Sequence, residues 1–190
     1  MTATVHSTGA SAIKLSKPTH IIVRPYTTEG APGNDYYDLD DVVRDTTKVS
    51  QDDNSTTDIE RETSDTPIMS IVTTGKYQFE AEVADTQADV LVALCGFTKG
   101  TSDNKVYAPS GYQNLYAEVA VVFESGGKNL ALILPKLQLN SKTTIESLNT
   151  NLAKVTLAGT AQLADVNVNG KSAKTPFYID SDYTLPVNGN

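Results

Sequence analysis

The chain has 190 residues, 39 % of them hydrophobic, with a mean hydropathy of −0.27 and a net charge of −8 at neutral pH. That length suits one domain, or one domain with a long insertion, and no run of ~18 apolar residues is present to span a bilayer. A single cysteine, Cys95, excludes an internal disulfide and a Cys-rich metal centre.

The charge is unevenly placed. Residues 34–65 carry 11 acidic and 3 basic side chains, and the rest of the chain balances at 12 of each sign. An acidic surface of this kind repels nucleic acid, whose binding needs Lys and Arg to neutralise phosphates.

Residues 1–17 are small, polar and aperiodic, which predicts a mobile N-terminal arm. They lack the apolar run of about 7–15 residues of a secretory signal, so the expectation is folding in the cytoplasm. A single β domain is expected over 18–190. HIIVRPY (20–26) reads as a strand stopped at Pro25, TTEGAPGND (27–35) as a loop, and YYDLDDVVRD (36–45) as a strand. TTKVSQDDNSTTDIERETSDT (46–66) has almost nothing apolar with which to pack. An extended acidic loop over about 34–66 is expected, of a length that is usually functional or disordered.

SIVTTGKYQFEAEVAD (70–85) alternates with period two and reads as one long strand with a bend or bulge at Gly75. Over about 86–95 the period changes, and Val90, Leu91 and Leu94 share a helix face, capped by Asp85 or Thr86 and stopped by Gly96. LYAEVAVVFESGG (115–127) and the stretch beginning GGKNLALILPK form a predicted hairpin. In the latter, residues 130–134 are apolar on both faces. Beyond Pro135 only Leu137 and Leu139 stay apolar, against Lys136, Gln138 and Asn140. Another alternating strand runs from Lys154 to Leu163, and a last short one covers Phe177–Ile179. The predicted fold is mainly β, a β-barrel or sandwich with one flanking helix and long polar loops, and no internal repeat.

Residues that could carry chemistry are sparse. His6 and His20 have no partner at metal-ligand spacing. Cys95 ends an amphipathic helix and reads as a small buried residue. The clusters DLDD (38–41) and QDDNSTTD (51–58) lack the central Gly and terminal Glu of an EF-hand and read as solvated loops. Glu80 and Glu82 share a strand face, as a hydrolase pair would, but lie in an ordinary polar row. The expectation is no catalytic site, no cofactor and no metal.

The order of elements resembles the tail tube (major tail) proteins of long-tailed bacteriophages. The resemblance rests on GKYQFEAEV (75–83) running into ADVLVALCG (88–96), then VAVVFESGGKNLALILPK (119–136), then PFYI (176–179). It covers about Ile68 to Ile179 and is one of pattern, not of a signature motif. It implies a subunit that assembles with copies of itself into stacked, usually hexameric, rings within a virion tail, put together in the bacterial cytoplasm; type VI secretion tubes are related in fold. The lumen would hold a tape-measure protein and later pass the genomic DNA without specific binding. Tail terminator and baseplate or tail-tip proteins would be its other partners, and no membrane would be involved.

On that reading Lys76, Gln78, Glu80 and Glu82 are expected to face the lumen. Leu130, Leu132 and Leu134 are expected at subunit interfaces. Asp52, Asp53, Asp58, Glu60, Arg61 and Glu62 are expected on a loop that stacks rings. The alternative is a monomeric β-sandwich binding or virion decoration module; the absence of Trp weighs against a sugar-binding one.

Overall fold

The computed structural model describes residues 17–27, 30–39, 41–62, 64–84, 87–101, 105–111, 113–144, 154–168 and 170–186. The proposed arm up to residue 16, with His6, lies outside these, as do Asp40 and the helix-cap candidates Asp85 and Thr86. The fold is mainly β, with one helix.

The first strands are β1 (Pro18–Pro25), β2 (Tyr37–Asp38), β3 (Lys48–Gln51), β4 (Ser55–Arg61), β5 (Ser64–Thr73) and β6 (Tyr77–Val83). The helix α1 (Ala88–Cys95) follows, then the short β7 (Thr98–Lys99) and β8 (Val106–Tyr107). The long hairpin β9 (Leu115–Ser125) and β10 (Lys128–Leu139) leads to β11 (Lys142–Thr144) and β12 (Lys154–Ala161). The chain closes with β13 (Ala164–Val168), β14 (Lys171–Thr175) and β15 (Tyr178–Asp180). Nine strands form one antiparallel sheet in the order β2-β1-β9-β10-β12-β6-β3, with β11 added to β12 and β15 to β10. β4–β5, β7–β8 and β13–β14 are separate two-stranded ribbons.

Inward side chains from both ends of the large sheet meet in one core. Ile21 and Val23 of β1 join Phe79, Ala81 and Val83 of β6, with Val119, Leu134 and Leu157 between them. The layout is thus sandwich-like, with β2 and β3 as unjoined ends among the described residues. Helix α1 covers a flank by burying Val90 and Leu94 and stops at Gly96, whose φ is 72°. The β9–β10 turn is Gly126-Gly127, at φ 63° and 78°. Two positive φ values in a two-residue turn match the twist of the flanking strands, and glycine meets that need without Cβ strain.

The change of character along β10 has a local cause. Leu134 pairs with Val119, but Leu137 is the next residue in register, opposite Ala117, so Pro135 and Lys136 form a bulge. Proline supplies no N–H, and the bulge is where none is needed. β10 also changes its second partner there, from β15 over Ala131–Ile133 to β12 over Leu137–Leu139. Before the bulge both faces are covered. Leu130, Leu132 and Leu134 enter the main core, and Ala131 and Ile133 join Ile22, Ala120 and Val122 in a second cluster.

The cover of that second cluster comes from the chain's own Tyr36, Tyr183 and Leu185. The Tyr183 N–H donates to the Asn129 carbonyl (3.0 Å) and the Tyr36 hydroxyl to the Pro186 carbonyl (3.0 Å), pinning the segment in place. Leu130, Leu132 and Leu134, expected at a subunit interface, are 6, 8 and 0 % exposed and pack in the core of a single copy, with Leu132 also lining an open cleft at the end of that core.

Three further expectations change. The single strand over 70–85 is two strands, β5 and β6, in different sheets and broken at Thr74–Lys76. Gly75 is the break, because a Cβ there would overlap the carbonyl oxygen of Asp52. The acidic segment is not a structureless loop but holds β2, β3 and β4 of the ribbon β4–β5, whose Thr- and Ile-containing strands pair the backbone groups between them. The strand expected to run on to Leu163 ends at Ala161, and Leu163 is 65 % exposed.

Candidate assembly surface

Two surfaces outside the core have a defined chemistry. The first is the outward face of the large sheet. Register places Ser50, Gln78, Thr160, Gln138 and Tyr116 in one row across β3, β6, β12, β10 and β9. The row is knitted by side chains. Thr160 Oγ1 donates to Gln78 Oε1 (2.8 Å), and Gln78 Nε2 to Asp52 Oδ2 (2.9 Å). Gln162 Nε2 donates to Gln138 Oε1 (2.9 Å), and Gln138 Nε2 to Asn114 Oδ1 (2.8 Å). Lys154 pairs with Glu82 at 3.0 Å, Glu80 lies opposite Lys48, and the Lys136 ammonium sits 4.9 Å from the centre of the Tyr116 ring.

The polar residues of β6 and those of β10 beyond the bulge are thus neighbours on one wet face, a relation that sequence spacing alone does not reveal. Lys76 stands apart, exposed in the break before β6. Both charge signs alternate over this face, which is amide- and hydroxyl-rich. Such a face is well hydrated and offers a polyanion little net attraction.

The second surface is the ribbon β4–β5. Ser55 pairs with Thr73, Thr57 with Ile71, Ile59 with Met69 and Arg61 with Ser64. Residues 51–60 and 67–74 are all exposed, and the extensive contacts of the two strands are with each other. Ile59, Met69 and Ile71 share one face and Ile68 and Val72 the other, with exposures between 40 and 61 %. A two-stranded ribbon with apolar side chains uncovered on both faces is marginal in water on its own. Its root is well secured. The Gly75 N–H donates to Asn54 Oδ1 (2.9 Å), the Asp52 N–H to the Lys76 carbonyl (2.9 Å), and Gln51 Nε2 to the Gly75 carbonyl (3.2 Å).

Of the expected ring-stacking residues, Asp58 and Glu60 lie on β4 with Arg61 at its end, Glu62 follows it, and Asp52 and Asp53 sit at the root. Sequence reading identified the acidic half of this element and missed the apolar half, Ile68 to Val72, assigning residues 70–72 of it to the long strand expected over 70–85.

The remaining reactive groups are committed elsewhere. The Cys95 thiol is pushed up by burial, against a smaller pull from the Thr143 hydroxyl. His20 pairs with Asp38 at 2.9 Å. Among the described residues no three His, Cys, Asp or Glu side chains gather as metal ligands would, and no helix is long and apolar enough to cross a membrane.

A groove of about 790 Å³ between Tyr26, Pro135, Tyr178 and β13 has Glu118 in its lining. Burial raises the Glu118 carboxyl above its ordinary 4.5, outweighing the opposite effect of Arg24, 3.5 Å away. A raised carboxyl pKa means that the folded chain keeps a proton the unfolded chain has released. The group therefore weakens the fold as pH rises from 4.5 to its folded value. Glu118→Gln, which mimics the neutral acid, is expected to melt like the parent at the acid end of that window. It should melt progressively higher than the parent towards neutrality. Thermal midpoints measured against pH check this, and a pH-independent difference would contradict it.

Comparison with models of protein families finds none that matches the chain, and comparison with curated protein sequences finds no significant match.

Proposed function

We propose that the chain is a non-enzymatic structural subunit that assembles with copies of itself into stacked rings, as the tail tube of a long-tailed bacteriophage does. The observation that carries this reading is the ribbon β4–β5, a secured arm whose five large apolar side chains are uncovered on both faces. Full burial of a Val, Ile or Met side chain gains about 1.5–3 kcal/mol. A neighbour that covers even half of this surface therefore contributes several kcal/mol to association. The wet sheet face supports the same reading, since a conduit for a tape-measure protein and then for DNA works best with a hydrated wall that holds neither. Gln78, Glu80 and Glu82 would line that conduit, in a virion tail put together in the host cytoplasm and finished by terminator and tail-tip proteins.

One observation favours a rival, a monomeric binding or virion decoration module: both faces of the β9–β10 hairpin are covered within a single copy. Sedimentation across a wide concentration range, with electron microscopy of the concentrated protein, separates the two. Rings or filaments are expected. A monomer at every concentration, with no tube in the microscope, would overturn the proposal.

A further inference from the structure

At the end of the sandwich from which the ribbon leaves, the core is open. Val49, Tyr77, Val121, Phe123, Leu132 and Phe177 line a cleft of about 380 Å³, with Gln51 at its edge. Tyr77 and Phe177 form one wall, edge to face at 5.0 Å between ring centres. The cleft is apolar and reaches buried side chains of β9 and β10, so water inside it finds few hydrogen-bond partners.

We propose that this cleft receives the β4–β5 ribbon of a second copy. The inference rests on the self-assembly reading and names the surface that reading leaves open. The same chain carries an uncovered apolar arm and an unfilled apolar cleft. Their charges are complementary as well. Over residues 55–65 the sequence of the ribbon carries four acidic side chains and one basic, and Lys17 adjoins the lining residue Pro18. Because the arm and the cleft are different patches, the contact is heterologous. Where each copy gives its arm to one neighbour and takes another's, the contact propagates a ring or stack; reciprocal exchange would close a pair, which sedimentation distinguishes. The N–H groups between the two strands are paired within the ribbon, so an apolar face can enter the cleft while the two outer edges stay in water.

The test uses the full chain with Cys95→Ser and two single-cysteine forms, Ile68→Cys in the arm and Gln51→Cys at the cleft edge. Both sites are exposed and Gln51→Cys gives up one of the three root bonds, so folding is expected to survive, and the Cys95→Ser parent is sedimented beside them as the reference for assembly. The two forms are mixed, concentrated and mildly oxidised, and assembly is followed by sedimentation. A disulfide-linked dimer in the mixture, several-fold above either form alone, is the expected result. If the mixture sediments as an assembly without that mixed dimer, or if Ile68→Cys alone links as well as the mixture, the cleft proposal falls and self-assembly stands. If nothing assembles at any concentration, both fall.

Discussion

Excising residues 55–73 and joining Asn54 to Thr74 through a short Gly-Ser link is expected to yield a folded protein that no longer assembles. The ribbon is exposed throughout its described side chains and sends no large surface into the core, so its removal deletes no core contact. Its root closes through bonds among residues 51–54 and 75–76, all of which are retained. Surface changes away from buried features typically stay within about ±0.5 kcal/mol, so the melting temperature should move by only a few degrees. Association, by contrast, loses the apolar arm altogether. The milder Ile71→Asp places a charge where a neighbour would have to desolvate it, at a cost of several kcal/mol, and should raise the concentration needed for assembly by at least about a hundredfold. Circular dichroism and sedimentation measure the two halves of this expectation separately. An excised protein that still forms rings would remove the ribbon from the interface, and one that unfolds would make the ribbon part of the core.

The strands that bury one face were legible in the sequence because a buried face imposes a period of two on the residues themselves. β6 and β12 alternate as their register requires, and the switch to a helix at Ala88 shows in the same way. Gly126-Gly127 marks its turn for a reason written in φ. What sequence spacing could not supply was the identity of each strand's partner. β5 and β6 form one uninterrupted alternation, yet the chain changes sheet at Gly75, because the backbone of Asp52 crowds that point from 23 residues upstream. The ribbon β13–β14 was missed although the sequence between Val168 and Lys171 reads Asn-Gly, the strongest short signal for a tight hairpin. β13 is only five residues long, and β14 is polar and exposed, so no sustained apolar alternation drew attention to the pair. The apolar excess of β10 was correctly noticed and wrongly attributed to neighbours, since nothing in the residues 130–134 says that Tyr183 and Leu185 return to cover the second face.

Leu134→Asp is expected to prevent folding, where Ile71→Asp only prevents assembly. Leu134 is fully buried, faces the main core and lies opposite Val119 immediately before the bulge at Pro135. Replacing it removes the packing of a large side chain, a change that costs about 2–5 kcal/mol in well-filled cores even when Ala is the substitute. The carboxylate adds its own desolvation, or else is held neutral at a further cost in pKa. Together these approach the ~5–15 kcal/mol that holds an ordinary domain folded. The variant should therefore appear in the insoluble fraction, or melt more than about 15 °C below the parent if it can be recovered. The comparison decides which apolar residues serve the fold and which serve a neighbour. Should Leu134→Asp stay soluble with a parental melting profile and merely fail to associate, the leucine row of β10 would be a surface lent to other copies, and the enclosure of the core by the chain's own strands would have to be abandoned.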